Sequence, residues 1–172
     1  MKRKRAKSLA ILCSPGTPEL PFAQRRRLER VGQETIAAHP LEGPVQLVLA
    51  GDRELRRLNA AYRGKDQSTD VLSFNLDPGP EAQLSGAAPV WGEIYISLAK
   101  ARTQAKEQQV PLLTELARLL VHGLLHLAGH DHDTAAGLRF MEGETERLLE
   151  EAGLLPAPPP RTALAGSFPR KD

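Results

Sequence analysis

The sequence predicts an α/β (α+β) domain: a small mixed β-sheet packed with several helices, carrying a three-His metal site where a helix ends in a glycine turn. Three observations lead there. Short apolar, partly β-branched runs bounded by Pro and Gly alternate with stretches whose apolar residues recur at helical spacing. With 172 residues and 41% hydrophobic composition, the chain can bury one core and is too short for two comfortable ones. Four of the five histidines fall within residues 122–132.

Leu9–Cys13 and Val45–Ala50 suit strands. Between them Leu28, Val31, Thr35 and Ala38 lie at helical spacing, and His39-Pro40 marks the stop, with His39 as a C-terminal cap favoured by the helix dipole. Asp52 can cap a second helix, where Leu55, Leu58 and Tyr62 repeat at helical intervals. Residues 71–74 and 94–96 read as two more strands, separated by a Pro/Gly-rich surface loop over 77–89. Residues 98–108 predict a helix, and Pro111 suits the first turn of a longer one running to about Ala128. After a turn at Gly129, Asp133 or Thr134 can cap a last helix with Leu138, Met141, Thr145, Leu148 and Ala152 on one stripe, ended by Gly153 and Pro156. This organisation predicts a basic tail over 1–8, a single domain over 9–155, and a Pro-rich disordered tail over 156–172.

Composition narrows the class. The single cysteine, Cys13, cannot form an internal disulfide, so nothing demands an oxidising compartment. Basic residues before the apolar run at Leu9–Cys13 resemble a secretion signal, but the run is too short and no small-residue cleavage site follows. The most apolar stretch, 112–128, is interrupted by Glu115, Arg118, His122 and His126, short of a membrane span. A soluble cytoplasmic protein with no membrane partner is expected. Net charge is +2, yet residues 1–65 hold 14 Lys+Arg against 6 Asp+Glu, leaving 9 against 15 for the rest. The N-terminal part is a plausible surface for a polyanion, although helix faces such as Arg25, Arg26, Arg27 and Arg30 are also what ordinary solvated surface looks like.

The chemistry concentrates in His122-Gly-Leu-Leu-His126-Leu-Ala-Gly129-His130-Asp131-His132. Residues four apart stand one turn above each other on a helix, so His122 and His126 can aim at one point. Gly129 can end the helix at positive φ and turn the chain back, bringing His132 to the same point. Three neutral nitrogen ligands with an open position are what a catalytic zinc needs, whereas a structural site is normally closed by a fourth ligand, usually cysteine. His130 would point away from the ion, as an outer partner or toward solvent, and Asp131 reads as a turn residue. The spacing His-x3-His-x5-His is that of the metzincin peptidases, which place Glu after the first His as general base. Here that position is Gly123, which has no proton acceptor, so peptide hydrolysis is demoted. A second constellation runs from Tyr62-Arg63-Gly64-Lys65-Asp66 through Thr69-Asp70 to Phe74. Arg63 and Lys65 bracket a glycine between helix and strand, and a guanidinium can neutralise charge building up on phosphorus. By itself an Arg-Gly-Lys turn is ordinary solvated surface.

These two stretches, together with Gly92-Glu93-Ile94-Tyr95-Ile96-Ser97, resemble the YbeY family of endoribonucleases, or ribosomal RNA maturation factors. The family's His-Gly-x-Leu-His-Leu-x-Gly-Tyr-Asp-His signature is met except that His130 replaces Tyr, and its Tyr-Arg-x-Lys-Asp-x-x-Thr-Asp-Val-Leu-Ser-Phe segment is met from Tyr62 to Phe74. The resemblance implies one zinc ion on His122, His126 and His132, an important basic residue at Arg63, and a role in small-subunit ribosomal RNA processing and ribosome quality control. The expectation is therefore a single-strand-specific endoribonuclease acting on the 3′ end of 16S ribosomal RNA. Arg63 would be catalytic and substrate-binding, Lys65 substrate-binding, and single-stranded RNA and the small ribosomal subunit the partners. Either water or the neighbouring ribose 2′-hydroxyl could attack. With 4% aromatic residues there are few stacking platforms, so binding should rest on phosphate contacts and weaken with salt. The rival readings are a metallohydrolase of a peptide or ester, and a non-catalytic ribosome-assembly factor with a structural metal.

Overall fold

The computed structural model describes residues 8–79, 82 and 89–155. The basic tail at 1–7, most of the 77–89 loop and the Pro-rich tail lie outside the described residues. In chain order the elements are β1 (Leu9–Cys13), α1 (Phe22–Ala38), β2 (Val45–Ala50), α2 (Asp52–Arg63), β3 (Val71–Asn75), β4 (Gly92–Ser97), α3 (Leu98–Glu107), α4 (Leu112–Leu127) and α5 (Ala135–Glu151). The strands form one mixed sheet in the order β1-β2-β4-β3. β1, β2 and β4 run parallel, and β3 closes the edge antiparallel to β4, with Ser73 opposite Ile94.

Side-chain alternation divides the core across this sheet. Leu9, Ile11, Val45, Leu47, Leu49, Ile94 and Ile96 face a large apolar cluster filled from α1, α4 and α5, while Val48, Ala50 and Leu72 face a smaller one capped by Leu55 and Leu58 of α2. α4 is the central helix. Eleven of its residues are buried, and it packs against β3, β4, α1, α3 and α5. Its burial on several sides explains why its sequence is almost continuously apolar.

Several local expectations shift by a residue or a turn. α1 begins at Phe22 after Pro21, six residues before the apolar repeat starts at Leu28, because its first turns carry solvent-facing arginines rather than core residues. The cap of α2 is the Gly51 backbone, and the Asp52 side chain instead accepts hydrogen bonds from Ser68 and Ser97. Pro111 precedes α4 rather than opening it, and Thr134, not Asp133, caps α5 by accepting from the Gly137 N–H. Tyr62 continues the spacing of Leu55 and Leu58 but is 70% exposed, its ring meeting Phe74 of β3 with centroids 5.1 Å apart.

Candidate metal centre

The centre is built at the C-terminal end of α4. Placing it requires that helix to lie close on the β3–β4 edge, and Gly123 permits this: a Cβ there would come within 2.9 Å of Ile94 Cγ2 and 3.0 Å of Ser73 Oγ, the cross-strand pair beneath it. Steric exclusion thus accounts for the absence of a glutamate general base at this position. Beyond Leu127 the helix stops through Gly129, at φ 92°, whose N–H donates to the His126 carbonyl, while the His130 N–H donates to Leu125.

This turn brings three imidazoles together. One nitrogen from each of His122, His126 and His132 lies within 4.8 Å of the others, a cluster that could hold a metal ion. The Nε2 atoms of His122 and His126 are 3.1 Å apart. Two nitrogens bound to one tetrahedral zinc stand about 3.3 Å apart, so the pair fits without rearrangement. The environment also keeps the rings available as ligands. Burial, then the neighbouring His126 and His132, pushes His122 down to about 4, and burial followed by His132 lowers His126. The His130 backbone hydrogen-bonds the His126 ring in a way that favours its protonated form, so the bond is made by the carbonyl. Such a bond orients a metal-ligating histidine and selects its tautomer.

His130 itself turns away from this cluster. Its ring meets His39, with centroids 5.1 Å apart, and its Nε2 lies 3.3 Å from His39 Nδ1. His39 ends α1, as its spacing predicts, but it also bonds Glu144 of α5 through Nε2 at 2.7 Å. Hydrogen bonds from Arg147 first, and from His39 next, hold the Glu144 carboxyl down at about 2 despite partial desolvation. Sequence spacing could not reveal this tie, because it joins residues 105 positions apart.

The other residues singled out by sequence lie at the end of α2. Arg63, Gly64 and Lys65 are all exposed, and among the described residues neither the Arg63 nor the Lys65 side chain takes a hydrogen bond or ion pair. Arg63 is nevertheless near enough for its charge to oppose protonation of His126. Asp70 anchors the next turn through the Val71 N–H and Gln104, and its charge also reaches His122 and Arg118. Arg118, one turn before His122, is occupied by a two-point contact to the fully buried Glu115. The i, i+3 spacing allows this contact, but the complete burial of Glu115 was not legible from sequence, where both residues read only as interruptions of an apolar run.

A family model described as Endoribonuclease YbeY matches residues 21–153. Proteins named Endoribonuclease YbeY are similar over most of the chain. One from Anaeromyxobacter is 38% identical over 149 residues, covering 87% of this chain and 75% of its own. One from Moorella thermoacetica is 45% identical over 133 residues, 74% of this chain and 85% of its own, and one from Bacillus licheniformis is 42% identical over 153 residues, 86% and 97% respectively. Among solved structures, the solution structure of a Thermotoga maritima protein is similar at 26% identity and a TM-score of 0.54, covering 83% of this chain and 90% of that one.

Proposed function

The chain belongs to the Endoribonuclease YbeY family, and from that premise we propose that it is a zinc-dependent, single-strand-specific endoribonuclease of ribosomal RNA. It acts in the cytoplasm on the small-subunit RNA, in maturation of the 16S 3′ end and in ribosome quality control, with residues 9–155 as the catalytic domain. The observation that carries this reading is the convergence of His122, His126 and His132, with the charge of Arg63, unpaired among the described residues, acting on His126. No single helix among the described residues is long and apolar enough to cross a membrane, and the reading requires none.

In this mechanism His122, His126 and His132 would hold the ion through neutral nitrogens, and the chemistry it would supply when bound is Lewis-acid polarisation and activation of water. Arg63, whose charge acts on His126, would meet the phosphoryl oxygens of a substrate and stabilise the charge that grows there. Because no carboxylate among the described residues occupies it, its charge remains available for substrate. Lys65 adds a second cation on the exposed turn and binds substrate phosphate as a point charge. Gly123 offers no proton acceptor next to the first ligand, which favours phosphoryl transfer over peptide hydrolysis.

The test measures bound metal in purified protein alongside cleavage of single-stranded and duplex RNA, with His126→Ala as control. Stoichiometric zinc and cleavage of the single strand, both lost in His126→Ala, are expected. Turnover of peptides or esters without RNA cleavage would overturn the reading.

A further inference from the structure

Among the described residues the buried hydrophobic core contains no Phe, Tyr or Trp; it is built from aliphatic side chains and Met141. The scarce aromatic rings are therefore spent elsewhere. Phe140 is 45% exposed on α5, immediately before the buried Met141. Leaving a large apolar ring in water is unfavourable, and packing does not demand it here.

Its surroundings set it apart from a scattered surface hydrophobe. The ring packs on His130 with centroids 4.7 Å apart and planes inclined by 39°, and His39 meets it edge-on at 6.3 Å. His39 is in turn tied to Glu144 of α5, and Glu144 to Arg147, while His130 meets His39 through its ring nitrogen, so both imidazoles are held in place next to Phe140. The platform also adjoins the metal centre. The His130 backbone contacts the His126 ring, and His130 is two residues from His132, a separation of at most about 7 Å between Cα atoms.

We infer that the exposed face of Phe140, backed by His130, is a stacking subsite for one unpaired nucleobase of the RNA strand whose phosphate lies at the histidine cluster. The inference rests on the nuclease reading above and extends it to a source of single-strand selectivity. A base in a duplex has both faces covered by its neighbours, whereas an unpaired base can splay out and stack on an aromatic side chain. A ring already immobilised by His130 and His39 loses little further freedom on binding. The subsite complements Arg63, which contacts phosphate and cannot distinguish paired from unpaired bases.

The experiment compares KM and kcat for a single-stranded RNA with the metal-loaded wild-type protein and the Phe140→Ala, Phe140→Leu and Phe140→Tyr variants. Zinc is quantified in each sample, and the series is repeated on RNAs carrying one abasic nucleotide at successive positions. Stacking predicts a KM raised about tenfold in Phe140→Ala, with zinc content unchanged. Phe140→Tyr should retain wild-type KM and Phe140→Leu should not. At one position, the abasic substitution should weaken the wild type and leave Phe140→Ala unaffected. An unchanged KM in Phe140→Ala, full rescue by Phe140→Leu, or additive losses at every abasic position would overturn the subsite while leaving the nuclease reading intact. Failure of the metal-loaded wild type to cleave any of the RNAs would instead overturn the nuclease reading, and the subsite with it.

Discussion

α2 and α4 both end at a glycine in the left-handed region, Gly64 at φ 66° and Gly129 at φ 92°, and both deliver their chemistry beside or just beyond that turn. Their backbones are secured in similar ways. Gly64 and Lys65 donate to the Ala60 and Asn59 carbonyls, and Gly129 and His130 donate to those of His126 and Leu125. The side chains differ. At the end of α4 the histidines converge, with His122 and His126 half-buried and their protonation disfavoured. At the end of α2, Arg63 and Lys65 stand exposed without partners among the described residues, although Arg56 nearby is clamped to Asp66 and Arg118 to Glu115. Under the proposed function, the difference follows from what each turn would bind. Metal ligands need fixed positions before the ion arrives, whereas a cation that meets a phosphate must not already be neutralised by a carboxylate.

The largest effect should come from breaking the fixed half of this pair. His122→Ala, His126→Ala or His132→Ala is expected to abolish stoichiometric metal, measured as zinc per chain after gel filtration, while His130→Ala retains most of it. Only the first three direct nitrogens at one point, and the His130 ring lies against His39 and Phe140. Equal zinc loss from His130→Ala would show that the ion is held by a different set of residues.

The next largest effect belongs to the free half. Arg63→Ala should slow single-turnover RNA cleavage by about a hundredfold or more while zinc content and folding stay near normal. Arg63→Lys should rescue only in part, because a point charge cannot reproduce a bidentate fork. Lys65→Ala should cost only a few-fold in rate, since other cations can partly replace an exposed ammonium. A folded, zinc-loaded Arg63→Ala protein with wild-type rate would reduce Arg63 to a solvated turn residue.

The two turns were also unequally legible in the sequence. Histidines at i and i+4 before a glycine announce their meeting point through helix geometry alone, and β1 and β2 were bounded correctly because Pro and Gly punctuate them. β4 begins two residues earlier than its apolar centre indicates, as Gly92 and Glu93 extend it by pairing with Val45 and Gln46, which no local pattern records. The proximity of Arg63 to His126 could not be derived from spacing, because it depends on the antiparallel placement of β3 at the sheet edge. It was singled out only by family resemblance. The Glu144–His39 bond was invisible for the same reason: it reports tertiary packing rather than periodicity.

The smallest effect gives the sharpest comparison, because the perturbation can be made the same at both turns. No atom lies within 4 Å of the Cβ that alanine would add at Gly64 or at Gly129, so each substitution costs only the strain of a left-handed backbone, about 1–2 kcal/mol. Urea unfolding should therefore show similar losses of stability for Gly64→Ala and Gly129→Ala. Their consequences for metal should diverge. Relaxing φ at Gly129 redirects the chain carrying His132 and shifts the His130 carbonyl on the His126 ring, so zinc affinity in a competitive chelator titration should fall about tenfold. Gly64 follows Arg63 in the chain, and relaxing it displaces Lys65 while leaving all three histidines in place, so zinc affinity should be unchanged. RNA cleavage by zinc-saturated Gly64→Ala should fall by no more than a few-fold, because the long Arg63 side chain is held by no partner among the described residues and can re-aim. Equal zinc affinities in the two variants would show that His132 reaches the ion without help from the turn, and the preorganisation argued for the α4 end would fail.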